Sequence, residues 1–152
     1  MTVTLAQAVD AILDEIVYRL DAQTESGGTM TDVVLVARGD RSEPRPDTPA
    51  VYATPQKMRV TDESTSQVEW WEMPVEISAV VQCKTPVDGY AHATDLAARA
   101  RAVLLSHTSS NLGLAYVRLV SSGTFDPSGP WQRNADYYRA TAQIRIRFTV
   151  RG

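Results

Sequence analysis

The most regular stretch of the sequence reads Tyr138-Arg-Ala-Thr-Ala-Gln-Ile-Arg-Ile-Arg-Phe-Thr-Val150. Apolar and polar side chains alternate along it, which is the period of a β-strand with one buried and one polar face. Arginines fill the polar phase at Arg139, Arg145, Arg147 and Arg151. Like charges on one face repel one another unless solvent or an acidic partner meets them. The stretch therefore predicts a long C-terminal strand whose arginines are either solvated or used for contact.

A second near-alternating stretch, from Val68 to Cys83, predicts another long strand with one core face and one wet face. Pro74 cannot donate a ladder hydrogen bond, so we expect a sheet edge or a bulge there. Trp70 and Trp71 must point to opposite sides of an extended chain. One of the two is therefore a candidate contact anchor.

The remaining patterns predict two helices and several short strands. Apolar residues at helical spacing from Leu5 to Leu20, behind the possible cap Thr4, predict the first helix. An alanine-rich stretch from Asp88 to about His107 predicts the second. Short strands are predicted at 33–36 (buried), 50–54, 57–61 and 114–120, with a hairpin turn at 62–66. The fold class is thus α+β, a mixed, mainly antiparallel sheet with two helices packed on it in a single domain, residues 1–152.

Two segments are predicted to be loops. Residues 38–49 hold six charges and three prolines without a large apolar side chain, so we expect an exposed loop that carries Arg38, Arg41 and Arg45. Residues 121–136 are turn-rich but contain Phe125 and Trp131. A long loop between the last two strands is usually functional or ordered by a partner.

Composition excludes several classes of protein. A chain of 152 residues can bury a core without disulfide or metal cross-links, and Cys83, its one cysteine, allows no internal disulfide. One cysteine with two distant histidines cannot form a Cys/His zinc site. No apolar run reaches the roughly 20 residues that span a bilayer, so we expect a soluble, unsecreted protein. The net charge of -3 gives no general attraction to nucleic acid or membrane.

The charge is distributed unevenly along the chain. Residues 1–32 carry six acidic side chains and Arg19, whereas residues 133–152 carry five arginines and Asp136. Two explanations remain open at this stage. The first helix packs near the last strand, or the acidic end of one copy meets the basic end of another.

Motifs for catalysis or cofactor binding are missing from the sequence. It contains no Gly-rich phosphate loop, nucleophile elbow or metalloprotease helix, so no cofactor is expected. The best nucleophilic arrangement is Cys83 with His92 or His107, but Cys83 lies on the apolar phase of its strand, where a buried thiol is expected. The arginines lack the interleaved aromatic side chains on which single-stranded nucleic acid stacks, so the sequence gives little support for nucleic-acid binding. We therefore expect a protein that is not an enzyme.

The order of elements resembles the tail-terminator (tail-completion) proteins of long-tailed phages and phage-like particles. The likeness rests on the first helix, Leu5 to Leu20, on the strand from Val75 to Cys83 leading into the helix from Ala91 to Leu105, and on the closing strand, Tyr138 to Val150. It implies a structural virion protein that assembles in the host cytoplasm into a ring, commonly of six subunits, at the tail and neck. The implied partners are further copies of the chain, the tail-tube protein and the head-tail connector. DNA would pass through the ring without specific recognition, and no membrane is involved.

Aromatic and basic side chains with no evident role in the core are the candidates for the contact surfaces. A ring of identical subunits needs head-to-tail contacts between complementary patches. The predicted interface residues are Trp70, Trp71, Trp131, Arg139, Arg145, Arg147, Arg38, Arg41 and Arg45. Another head-tail joining protein, such as a head-completion or neck component, is the alternative function, and a small hydrolase is the enzymatic one.

Overall fold

Two helices and one sheet make up the fold in a computed structural model, which describes residues 3–39, 47–61, 64–65, 67–105, 111–130 and 136–151. The helices are α1 (Leu5–Ala22) and α2 (Pro86–Leu104). The strands are β1 (Leu35–Arg38), β2 (Ala50–Pro55), β3 (Arg59–Val60), β4 (Val68–Gln82), β5 (Val117–Pro130) and β6 (Tyr137–Arg151). The predicted α+β class is confirmed.

The sheet is centred on the pairing of β4 with β6. Its strand order is β1-β2-β4-β6-β5, with β3 also paired to β4. The register of β4 and β6 runs without a shift from Val68 opposite Arg151 to Gln82 opposite Tyr137. Only β1 and β2 are parallel, so the predicted mixed, mainly antiparallel sheet with a long C-terminal strand is confirmed.

Helix α1 begins where the sequence places its cap. The Gln7 backbone N–H donates to Thr4 Oγ1 at 3.2 Å, and the Thr4 backbone N–H donates to Gln7 Oε1 at 3.0 Å. This reciprocal capping box satisfies two N–H groups that the first turn leaves without partners. One face of the helix is buried, through Ala8, Ile12, Leu13, Ile16 and Leu20.

Helix α2 begins with Pro86, which lacks the N–H that a first helical turn would leave unpaired. Its buried face is small, through Gly89, Ala93, Leu96, Ala97, Ala100 and Leu104. The small side chains let the helix lie close to the sheet. It ends at Leu104, and the predicted end near His107 lies outside the described residues.

Both helices cover the same face of the sheet. Helix α2 packs mainly on β6 and β4, whereas α1 packs on β1 and β2 and beside α2. One core cluster joins the two helices to alternate residues of the central strands, including Met73, Ile77, Ile144 and Phe148. The first helix therefore packs at the β1 side of the sheet and not on the last strand, and the arginines of β6 point away from both helices.

Three predicted strands differ from the structure in their bounds. The strand expected to be buried at 33–36 lies at 35–38 and is half-buried, since β1 is an edge strand; Val34 before it is 64% exposed. The strand at 57–61 shortens to β3, which forms the predicted hairpin with β4. The strand at 114–120 begins only at Val117.

Pro74 lies neither at the sheet edge nor at a bulge of the β4–β6 ladder. It pairs with Arg145 of β6 on one side, and on the other side it faces the gap between β2 and β3. The Gln56 backbone N–H at this gap donates to Pro74 O at 2.8 Å. N–H and C=O of one strand residue point to the same side, so the missing donor of Pro74 falls where no ladder bond is needed.

The prediction of a loop at 121–136 is wrong for residues 121–130, because β5 continues to Pro130. The turn-forming residues are absorbed by three register shifts against β6, between Val117 and Leu119, Ser122 and Phe125, and Asp126 and Gly129. Such bulges let an edge strand carry Gly and Pro. Trp131 lies outside the described residues. So does most of the segment 38–49, whose first residue, Arg38, belongs to β1.

Substitution of Gly89 by alanine tests the close approach of α2 to the sheet. A helical Gly-to-Ala change ordinarily stabilises by up to about 1 kcal/mol, but a Cβ here would lie 2.6 Å from Tyr138 Cγ, inside the core. We expect Gly89→Ala to lower the free energy of unfolding by about 1–3 kcal/mol in urea titrations. In a Tyr138→Ala background the same change should be neutral or stabilising. A stabilising effect in the natural sequence would contradict the packing.

Candidate interaction surface

The face of the sheet opposite the helices has an apolar end and a basic end. At the apolar end Ala50, Tyr52, Val80 and Tyr137 form a second, smaller cluster, against which Leu35 and Ala37 pack. Tyr52 and Ser78 are fully buried on this face. The prediction that this face of β4 is wet is therefore wrong at the end near β1 and β2.

A hydrogen-bonded network occupies the middle of this face. Arg139 makes a salt bridge to Glu76 and also donates to Ser78 Oγ at 2.9 Å. Gln56 Nε2 donates to Glu76 Oε2 at 2.8 Å, and Gln143 Nε2 donates to Gln56 Oε1 at 2.9 Å. The network joins β2, β4 and β6, so the charge of Arg139 is balanced within the chain.

The basic end of the face contains Arg59, Trp70, Glu72, Arg145 and Arg147, which we call the arginine face. Arg147 lies opposite Glu72 on β4, and Arg59 approaches the same carboxylate at 3.6 Å. Arg145 is exposed and has no hydrogen bond or ion pair to the described part of the chain. The arginine face thus holds three guanidinium groups and one carboxylate.

The apolar side chains around the arginine face are also partly exposed. Trp70 is half-buried, and Leu119, opposite Arg147 on β5, is 45% exposed. Trp71 points to the other side, where it packs against the main core with its Nε1 buried and without a hydrogen bond partner in the described residues. The expectation of opposite orientations holds, and Trp70 is the tryptophan on the basic face. The sequence did not identify Leu119 as a surface residue, because the direction of its side chain depends on the irregular register between β5 and β6.

Arg38 lies away from the arginine face. It forms salt bridges to Asp10 and Asp14 of α1, each at 3.0 Å, and the hydrogen bond to Asp10 is the main cause that raises its pKa. The pair of bridges ties β1 to α1. Arg41 and Arg45, predicted beside it as contact residues, lie outside the described residues.

A second charged cluster joins the α1–β1 connection to α2. Arg99 donates to both carboxylate oxygens of Asp32, at 2.8 and 3.1 Å, and to Thr29 O at 2.9 Å. His92 Nε2 lies 3.2 Å from the same carboxylate. The hydrogen bond from Arg99 holds the pKa of Asp32 far below its usual range, partial burial opposes this, and His92 adds to the lowering. Sequence reasoning did not find this cluster, because Asp32 is 60 residues from His92 and 67 residues from Arg99.

The predicted nucleophilic arrangement is not formed by the described residues. Cys83 follows β4, is half-buried and packs against the core, and its backbone N–H donates to Asp136 O. No hydrogen bond joins it to His92, which contacts Asp32, while His107 lies outside the described residues. A pocket of about 470 Å³ at this position is lined by Gln82, Cys83, Lys84 and Asp136.

Two features are absent from the described part of the chain. It contains no group of three or more His, Cys, Asp or Glu side chains placed to hold a metal ion. Neither α1 nor α2 combines the length and the apolar character that a membrane span requires.

Comparisons with known proteins give a distant structural likeness. No family model matches the sequence, and no curated protein matches it. Among solved structures, the chain is similar to one from the virion of a native gene transfer agent (GTA) particle, at 16% identity and a TM-score of 0.45. The match covers 88% of this chain and 92% of that one. A likeness this remote does not assign a function, so the function must be argued from the surface itself.

Replacement of Asp32 by asparagine tests the cluster around it. Because Arg99 lowers the pKa of Asp32 in the folded state, the ionised carboxylate stabilises the fold above about pH 4, and that contribution is lost as the pH falls further. We expect Asp32→Asn to lower the free energy of unfolding by about 1 kcal/mol or less at pH 7. The difference from the natural protein should shrink toward pH 2.

Asp126→Asn is the matched control for this measurement, because Asp126 is exposed and has no ion pair to the described residues. Urea denaturation of the three proteins at a series of pH values supplies the comparison. If the Asp32→Asn difference were the same at every pH, the ion pair with Arg99 would contribute nothing.

Proposed function

We propose that this chain is a structural protein of a phage-like virion, a tail terminator whose copies form a ring that caps the tail tube and joins it to the neck. The observation that carries the proposal is the arginine face. It combines three arginines and one glutamate with a half-buried tryptophan and an exposed leucine on one sheet.

A protein partner explains this combination better than solvent does. Arginine and tryptophan are the residue types that most often dominate the binding energy of protein interfaces. The side chains stand on the central pair β4 and β6 and on β3 and β5 beside it, so they are positioned before any partner arrives. A rigid surface loses little conformational entropy on binding.

The proposed partners are those of the tail-terminator family that the sequence resembles. Copies of the chain form the ring by contacts between different patches, with six subunits as the family's common number. The tail-tube protein lies on one side of the ring and the head-tail connector on the other, while DNA passes through it without sequence reading. The protein is located in the virion tail and neck after assembly in the host cytoplasm, and the role requires no cofactor.

Electron microscopy of particles that lack the protein tests the proposed role. Loss of a terminator removes the stop on tube growth, so we expect overlong or headless tails. Particles that contain tails of normal length joined to heads would contradict the proposal.

Binding to purified assemblies separates the terminator from another neck component. We expect the protein to pellet with tail tubes in a sedimentation assay and not with DNA-filled heads. The reverse result would favour a head-completion protein.

Reversal of charge on the arginine face is a separate test. An Arg145→Glu/Arg147→Glu variant that still folds should bind tail tubes, or assemble with its own copies, at least several-fold more weakly.

A further inference from the structure

We infer that the arginine face of one copy docks on the outward side of helix α1 of the next copy. This inference rests on the proposed ring function and adds the two surfaces that would build it. The occupant is a second copy of this chain because α1 carries the matching charge and shape.

The outward side of α1 presents Asp10, Asp14, Tyr18 and Asp21, which we call the α1 stripe. Their spacing of four, four and three residues places them on one side of the helix, opposite the buried positions. The side chains of Asp10 and Asp14 are each 70% exposed, and so is Tyr18. The stripe holds three carboxylates, and Arg38 pairs with two of them, so the stripe keeps an excess of negative charge.

Asp21 lies where its own helix disfavours it. It is the second-last residue of α1, next to the negative end of the helix dipole, while the first turn holds no acidic residue. Its carboxylate is exposed and has no hydrogen bond or ion pair in the described part of the chain. A cation from outside the chain would stabilise it.

The two surfaces are complementary. The arginine face holds three guanidinium groups and one carboxylate, with Trp70 and Leu119 as its apolar residues. The α1 stripe holds three carboxylates, two of them paired with Arg38, and Tyr18 lies among them. Excess charge of opposite sign and an apolar centre occur on both. This is the pattern of a contact that combines electrostatic steering with a desolvated anchor.

Their positions in the fold suit a head-to-tail contact. Helix α1 packs at the β1 end of the strand order, whereas Leu119 lies on β5 at the other end. A contact between different patches at opposite ends of a subunit repeats around an axis and can close a ring.

Strand pairing through the outer edge of β5 is the less suitable route. Three register shifts interrupt this strand, and Pro127 and Pro130 lack backbone donors. Bulges and prolines are the features that protect an edge strand from pairing with another chain. Contact through side chains of the sheet face and of α1 avoids this obstacle.

Sedimentation velocity of four variants tests the inference against the natural protein, over a range of protein concentration and at low and high salt. The variants are Arg145→Glu, Asp21→Lys, the two combined, and Lys84→Glu. Lys84 is the matched control, an exposed cation without a partner in the described residues that lies beyond the opposite end of β4.

We expect the natural protein and Lys84→Glu to form the same salt-sensitive oligomer. Each single reversal on the two surfaces should weaken assembly about tenfold, and the combined variant should recover most of that loss, because the exchanged charges again attract. Asp21→Lys should leave the melting temperature of the subunit unchanged or raised, since a cation suits the end of α1. Weaker assembly of a subunit that is no less stable cannot come from a folding defect.

Three sedimentation results would overturn the inference. They are a natural protein that stays monomeric at every concentration and salt, single variants that assemble like it, and a combined variant no better than the singles. If particles that carry the single variants still terminate their tails, the proposed ring function stands and only the docking surfaces are wrong. Binding of the arginine face to tail tubes or to DNA, lost in Arg145→Glu while assembly is kept, would assign that face to a different partner and also overturn the inference.

Discussion

The pairing of β4 with β6 is the constraint on which the rest of the structure depends. Fifteen residues of each strand face one another without a register shift. Because side chains alternate strictly along a strand, this ladder assigns every residue of both strands to one side of the sheet. A slip by one residue would turn Ile144, Ile146 and Phe148 toward solvent and bring arginines into the core, so burial holds the register in place.

The ladder also gives the two faces of the sheet different roles. The helices cover one face with small and branched side chains, and the resulting core contains residues of both helices and of the central strands. The other face is left to charged residues, and there the chain balances only part of the charge. Glu76 compensates Arg139 through a network of hydrogen bonds, whereas Glu72 alone lies between Arg59 and Arg147, and Arg145 stands exposed beside them. The uneven compensation is the observation behind the partner proposed for this end of the face.

The acidic residues of the first 32 positions are used in different ways. Asp10 and Asp14 bridge to Arg38 and thereby hold β1 against α1, and Asp32 binds Arg99 and holds the connection after α1 against α2. Asp21 does neither. Of the two explanations of the charge asymmetry that the sequence left open, the first is wrong, since α1 packs on β1 and β2, and the contact between copies stays a prediction.

Periodicity alone was enough to predict the two helices, the two long strands, the cap at Thr4 and the α+β class, because each of these is a local consequence of side-chain spacing. It was also enough to identify the arginines of β6 as one group. Packing over long distances in sequence decided the rest. The extension of β5 through residues 121–130 depends on pairing with β6, which overrides turn-forming composition by absorbing it in bulges. The meeting of Asp32 with Arg99 and His92, the gap that accommodates Pro74, and the exposure of Leu119 next to Arg147 arise only when separate segments are placed side by side, and no local pattern encodes that placement.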